Sequence, residues 1–308
     1  MDIRRREIAM RILVIGGSYF YGRVFLMQLP KGHEVTVVNR GTYSMEEFGV
    51  TQVTGDRNDK AVFQTLTEAY DVIVDFCAYQ PGQVKTVLEG LSGHVTQYIL
   101  ISTVDVYERG SGKRKAEDYP YETRQLPGDA GAYIAGKVAL EQELKEECEK
   151  RNIAYTIFRP AILFGPYNYA PRESMFIKLM VTQHILVHIT DAAGQFQLVY
   201  VKDAANAIVA SLLREASYYQ AYNLCDDGVY DYDALYKLLN EAKEDDAQEL
   251  CMTAGQAEEQ GLPLPFPVRA EETELCTNEK GKQELGITYT DIHEAMGKTY
   301  RAFKAVYE

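Results

Sequence analysis

From residue 11 onward, short apolar runs alternate with stretches whose apolar residues recur every three or four positions, and this alternation limits the fold more than any other feature. Runs at 11–15, 34–39, 50–54, 72–76, 97–102, 154–158 and 197–201 read as strands, and 22–29, 60–70, 81–91 and 132–151 as helices. Strands separated by helices pair in parallel, so the expected fold is α/β, a doubly wound parallel sheet with helices on both faces. Residues 108–131 are charged and rich in Gly, Pro and Tyr, which reads as a long loop covering something. Beyond Asn223 the pattern loses regularity and a proline-rich run occupies 261–268, pointing to a smaller, mainly C-terminal α/β substrate domain. The expected division is 11–170 with 197–225 for the sheet domain and 171–196 with 226–308 for the smaller one, residues 1–10 forming an extension.

The glycine loop follows the first apolar run directly, as Gly16-Gly17-Ser18-Tyr19-Phe20-Tyr21-Gly22 leading into a helix. Backbone amides at a helix N-terminus carry partial positive charge, and small residues let a pyrophosphate approach them, so a dinucleotide fits there. An ordinary tight turn is the plainer alternative, because Tyr19 stands where a middle glycine is expected. The second strand ends at Asn39-Arg40, where an acid would bind the ribose hydroxyls of NAD and an arginine accommodates the 2′-phosphate of NADP. Arg40 favours NADP, with NAD as the alternative.

Tyr133 and Lys137 stand four residues apart and share a helix face. A neighbouring ammonium lowers a phenol's pKa and suits it to exchange protons with a hydroxyl or carbonyl. Spacing alone proves little, since Tyr300 and Lys304 repeat it on the last amphipathic helix. Context separates them: Tyr133 opens the helix after the strand ending at Thr103, where a parallel sheet binds ligands.

These residues together resemble the extended short-chain dehydrogenase/reductase superfamily, the NAD-dependent epimerases and dehydratases with a Rossmann-type sheet. The features matching in order over about residues 11–225 are the glycine loop, Gly55-Asp56-Arg57, the segment Thr103 to Tyr107, Tyr133 with Lys137, Arg159-Pro160 followed by Gly165-Pro166, and Tyr200-Val201-Lys202-Asp203. The loop and the last segment look most like the atypical branch with chloroplast stem-loop-binding proteins and their bacterial relatives. The resemblance implies Thr103, Tyr133 and Lys137 as catalytic residues. It implies a cofactor set of Gly16, Gly17, Ser18, Tyr19, Phe20, Gly22, Asn39, Arg40, Asp56, Arg57, Ala78, Tyr133 and Lys137, with Asp56 on the adenine. Related dehydratases carry an Asp-Glu pair where this chain has Val104-Asp105, which leaves Asp105 as either a second acid/base or a solvated loop residue. Phe196 stands where nucleotide-sugar epimerases carry a diphosphate-binding arginine, and Arg172 or Lys178 are the nearby replacements for that charge.

The expected function is an NAD(P)-dependent oxidoreductase or epimerase acting on a hydroxyl or carbonyl of a sugar-like small molecule, with NADP as cofactor. The alternative is a cofactor-binding scaffold or RNA-binding protein. A formal net charge of −13 disfavours nucleic acid, Lys113-Arg114-Lys115 being the basic cluster after the N-terminus. No apolar run approaches the roughly 18 residues of a membrane span. Five scattered cysteines without metal-ligand spacing suggest reduced thiols, a cytoplasmic location and no metal. A homodimer packed through 132–151 is possible by the resemblance. Among 23 tyrosines, with no tryptophan, Tyr119, Tyr121, Tyr167 and Tyr169 are expected to border the substrate.

Overall fold

The computed structural model describes residues 9–244 and 246–308; residues 1–8 of the expected extension lie outside the described residues. The chain runs through β1 (Arg11–Ile15), α1 (Phe20–Gln28), β2 (Glu34–Asn39), β3 (Thr51–Thr54), α2 (Lys60–Gln64), β4 (Tyr70–Asp75), α3 (Gln83–Gly90) and β5 (Val95–Ile101). It continues through α4 (Gly128–Arg151), β6 (Ala154–Pro160), β7 (Ile162–Phe164), α5 (Glu173–Gln183), β8 (Ile185–Ile189), β9 (Leu198–Tyr200), α6 (Val201–Ser211) and β10 (Gln220–Leu224). The last third holds α7 (Tyr232–Ala242), β11 (Gln248–Met252), α8 (Ala254–Glu259), α9 (Glu279–Leu285) and α10 (Ile292–Tyr307). None of the described helices is long and apolar enough to cross a membrane.

Seven strands form one parallel sheet in the order β10-β6-β5-β4-β1-β2-β3. Side chains alternate across a strand, so β1 serves two cores at once. Ile12 and Val14 join the face covered by α1 and α6, whereas Leu13 and Ile15 join the face covered by α2, α3 and α4. The chain winds outward from β1 through β2 and β3, then restarts at β4 on the other side of β1. That reversal opens a crevice at the C-terminal ends of β1 and β4. The remaining strands make two small parallel pairs, β8 with β11 and β7 with β9. The apolar cluster beneath α1 and α6 extends without a break into α5, β8, α7 and α10.

Several sequence expectations need correction. The run at 197–201 is a strand only over Leu198–Tyr200 and pairs with β7, outside the main sheet. The sheet's seventh strand is β10, whose sequence QAYNL has two polar residues and no alternation to betray it. The expected helix at 60–70 stops at Gln64, where the Thr65 hydroxyl donates to the Val62 carbonyl, and Tyr70 already belongs to β4. Helix α3 begins at Gln83 after Gly82, whose φ of +89° breaks any earlier turn. Helix α1 starts at Phe20 rather than 22, and α4 starts at Gly128, inside the stretch read as a loop.

The loop before α4 covers the far side of β6 rather than the crevice. Tyr107 bridges to Tyr121 and Lys115 to Cys276, so the loop is stitched to itself and to the segment before α9. Beneath it, Arg159 of β6 forms a buried two-pronged ion pair with Glu141 of α4, Nη2 at 2.6 Å and Nε at 3.0 Å. Ser102 and Tyr121 also donate to Glu141, at 2.6 and 2.7 Å, while Arg159 donates to the Tyr107 hydroxyl at 2.7 Å. Every strong donor and acceptor in this group has a partner, which is what allows charges to sit in the interior.

Candidate active site

A cavity of about 980 Å³ occupies the crevice and runs from the glycine loop across β1 and β4 to the end of β5. Its wall contains Gly16, Gly17, Ser18, Tyr19, Phe20, Gly22, Asn39, Arg40, Asp56, Arg57, Thr103, Tyr133 and Lys137. Ala78 is the exception. It is fully buried behind the wall, and its carbonyl accepts from the Lys137 ammonium at 2.7 Å.

The glycine loop is shaped for close approach. Gly17 has a φ of +82°, and a Cβ on Gly22 would lie 2.5 Å from the Gly17 Cα, so the loop can fold against α1 only with hydrogen there. Phe20, the first residue of α1, holds a φ of +33°, a strained value for a side-chain-bearing residue at a ligand-facing turn. No side chain caps the N-terminus of α1 and no acid stands in its first turn, so its amides face the cavity without competition. The Ser18 hydroxyl accepts from the Asn39 side chain at 2.9 Å, and Asn39 in turn accepts from the Gly41 amide and from Gln52. This ties the loop to the end of β2. Uncapped amides beside small residues suit a pyrophosphate, so the residues present fit a dinucleotide.

At the other end of the crevice stand Thr103, Tyr133 and Lys137. The Lys137 side chain is buried, donating to the carbonyls of Ala78 and Ile101 at 2.7 and 2.8 Å. Desolvation brings its pKa down to about 8, against the raising influence of Asp75 and Cys77. Tyr133 remains 37% exposed to the cavity, with its ring centre 5.9 Å from the Lys137 nitrogen. Its phenol is pushed up to about 12, chiefly by desolvation and then by Asp105, while the Thr103 hydroxyl and Arg172 pull the other way. The expectation that Lys137 depresses the tyrosine pKa is therefore not met in the protein alone: the ammonium is engaged by two carbonyls, and burial dominates the phenol. Asp105 lines the cavity, where it accepts from Thr103 at 3.0 Å and pairs with Arg109 at 3.2 Å.

Other expected residues have different employment. Arg57 lines the cavity as expected of a cofactor residue, and its guanidinium is also engaged within the wall, holding Asp75 at 2.6 Å and the Gln83 carbonyl at 3.0 Å. Tyr169 borders the cavity, but Tyr119, Tyr121 and Tyr167 do not. Tyr121 joins the Glu141 network, Tyr119 packs edge-on against Tyr107, and Tyr167 lies under Arg23. Of residues 108–131, only Arg109 reaches the cavity.

Residues 84–225 match the model of the NAD dependent epimerase/dehydratase family. This stretch runs from α3 to β10 and is similar to that family. A curated relative, the chloroplast stem-loop binding protein of 41 kDa b from Arabidopsis thaliana, is 26% identical over 294 residues, covering 90% of this chain and 74% of that protein. Solved structures with the same fold include an epimerase from Methanothermobacter thermautotrophicus, 17% identical with a TM-score of 0.78 over 97% of this chain and 93% of that one. Another is the UDP-glucuronic acid 4-epimerase of Bacillus cereus, determined with UDP-glucuronic acid and NAD, 17% identical with a TM-score of 0.74 over 97% of this chain and all of that one.

At the far wall of the cavity the matched stretch packs against the C-terminal part of the chain. Phe196 is buried there, stacked on Phe266 with ring centres 4.4 Å apart. Arg172 lines the cavity and donates to the Leu163 carbonyl at 3.4 Å, whereas Lys178 lies over the Tyr307 ring outside it. Sequence reading missed Cys77, Tyr79 and Gln83, although they follow the C-terminal end of β4, where the strand order made a site expected. It also missed Gln195, Gln197, Glu272 and Glu274, which reach the wall from distant segments without any motif.

Proposed function

We propose that this protein is an NADP-dependent oxidoreductase or epimerase acting at a hydroxyl or carbonyl carbon of a sugar-like substrate, in the cytoplasm. The observation that carries the reading is the meeting of Thr103, Tyr133 and Lys137 in one cavity with the uncapped N-terminus of α1. The family match over 84–225 and the NAD-bound neighbour support a nicotinamide dinucleotide in that cavity. Such a cofactor, when bound, gives or takes hydride at the substrate carbon. The chain's own part is to hold and move the proton. Tyr133, protonated over the ordinary pH range by its raised pKa, is set to donate to a carbonyl oxygen, and Thr103 beside it orients that oxygen. Lys137, fixed between the Ala78 and Ile101 carbonyls, places positive charge beneath the reacting centre at pH values below about 8. Arg40, exposed at the mouth by the end of β2, supports the choice of NADP.

The relative's name raises RNA binding as the rival reading. The basic cluster that would serve it is incomplete, since Lys115 is buried in an ion pair with Glu274. Titration of NADPH and NADH by nucleotide fluorescence tests the proposal: tighter NADPH binding is expected, preference for NADH overturns the NADP assignment, and binding of neither overturns the function. Filter binding of structured RNA at two salt concentrations tests the rival, because genuine phosphate contacts weaken as salt rises.

A further inference from the structure

Away from the cavity, β8 and β11 pair in parallel with Cys251 opposite His188. Alternation places Glu249 on the same face of β11 as Cys251. The His188 Nδ1 lies 3.0 Å from Glu249 Oε1, and the Cys251 Sγ lies 3.2 Å from the same oxygen. All three ligand atoms fall within 4.8 Å of one another. On the other side of the ring, Nε2 is 3.1 Å from Asp233 Oδ1 of α7, and the imidazole stacks on Tyr236 with ring centres 4.2 Å apart.

This arrangement poses an electrostatic problem. A neutral imidazole that donates Nε2–H to Asp233 turns its Nδ1 lone pair on the Glu249 carboxylate, and two acceptors at that separation need a proton or a cation between them. The neighbouring sulfur favours the cation. Imidazole, thiolate and carboxylate together form a borderline-soft donor set that suits zinc rather than magnesium or calcium. With bonds of about 2.0–2.3 Å, tetrahedral zinc spaces its ligand atoms roughly 3.3–3.8 Å apart, so the Nδ1–Oε1 and Sγ–Oε1 separations of 3.0 and 3.2 Å need to open only slightly to admit it. A carboxylate on the remote nitrogen of a histidine is also the usual way such a ligand is oriented.

We propose that His188, Glu249 and Cys251 form a binding site for a zinc-type divalent cation, with Asp233 as the positioning residue that fixes the histidine. Glu249 and Cys251 are exposed, so water completes the coordination, and on binding the Cys251 thiol releases its proton to solvent. The ion clips β8 to β11 on the side covered by α7.

The test uses the full chain, stripped with a chelator and dialysed, then titrated with zinc chloride against a chromophoric zinc indicator. Uptake of a single zinc ion is expected, abolished in Cys251→Ala and His188→Ala and weakened about 10–100-fold in Asp233→Asn. Cobalt(II) binding should give a thiolate charge-transfer band in the parent protein and not in Cys251→Ala. If His188→Ala loses its circular-dichroism signature of folding, the exposed Cys251 variant decides the matter. Absence of saturable uptake, or uptake unchanged in Cys251→Ala, overturns the proposal and leaves His188 as a hydrogen-bonding bridge between Glu249 and Asp233.

Discussion

Tyr133 illustrates how little a residue's neighbours in sequence say about its chemistry. The four-residue spacing to Lys137 places the two on one helix face, but the lysine nitrogen is captured by the Ala78 and Ile101 carbonyls. In the protein alone the phenol is consequently a weak acid, pushed up to about 12 by desolvation. The proposed role as proton donor makes a direct prediction. Tyr133→Phe, which keeps the ring and removes the hydroxyl, should lower turnover at least about 10²-fold in a steady-state assay. Equal turnover in the two proteins would remove Tyr133 from the mechanism. Thr103 was legible as a strand-end residue, and Arg57 only as part of a motif; what Arg57 does depended on Asp75, a residue that no local pattern connects to it.

At the level of elements, α4 joins two functions along its length. Tyr133 and Lys137 face the cavity from its first turns, and Glu141, one turn further on, is locked to Arg159 of β6. The ion pair fixes how far α4 sits from the ends of β5 and β6, and so where Tyr133 stands relative to Thr103. Arg159→Met would leave Glu141 buried without its counter-ion, which should cost about 3–5 kcal/mol of stability in urea unfolding. Adding Glu141→Leu should recover part of that loss, since replacing a buried ion pair by apolar groups is often nearly neutral. If the single variant is as stable as the parent, the pair does not hold α4 in place. The element boundaries that were misread share a cause: β10 and the end of α2 are set by pairing and capping partners, not by hydrophobic periodicity.

For the whole molecule, buried carboxyl groups set how stability responds to pH. Glu173, inaccessible at the start of α5, accepts from the Gly165 amide and the Asn168 side chain, but desolvation outweighs these bonds and raises its pKa to about 6. A folded-state pKa above the unfolded value contributes stability that is fully present below the unfolded pKa of 4.5 and lost as pH rises through about 6. Glu173→Gln removes that dependence. Relative to the parent, the variant should gain about 2 kcal/mol between roughly pH 4 and pH 7, measured by urea midpoints at each pH. A pH-independent difference would show that Glu173 does not titrate in this range. Asp226, raised to about 6 mainly by burial, acts in the same direction and is left intact in both proteins.

The sequence by itself determined the α/β class, the position of the glycine loop and the strand-end location of Thr103, because periodicity, glycine spacing and helix register are short-range properties of the chain. Its motifs also stand in an order that marks the epimerase resemblance. Only the tertiary structure decided that the loop over 108–131 guards Arg159 instead of the cavity, that Lys115 is no part of a basic strip, and that Glu272 and Glu274 line the cavity's far wall. The His188, Glu249 and Cys251 cluster likewise exists only because β8 lies beside β11, some sixty residues apart. Long-range contacts of this kind are chosen by which packed arrangement buries the apolar faces and satisfies the buried charges, and no local window of sequence contains that comparison.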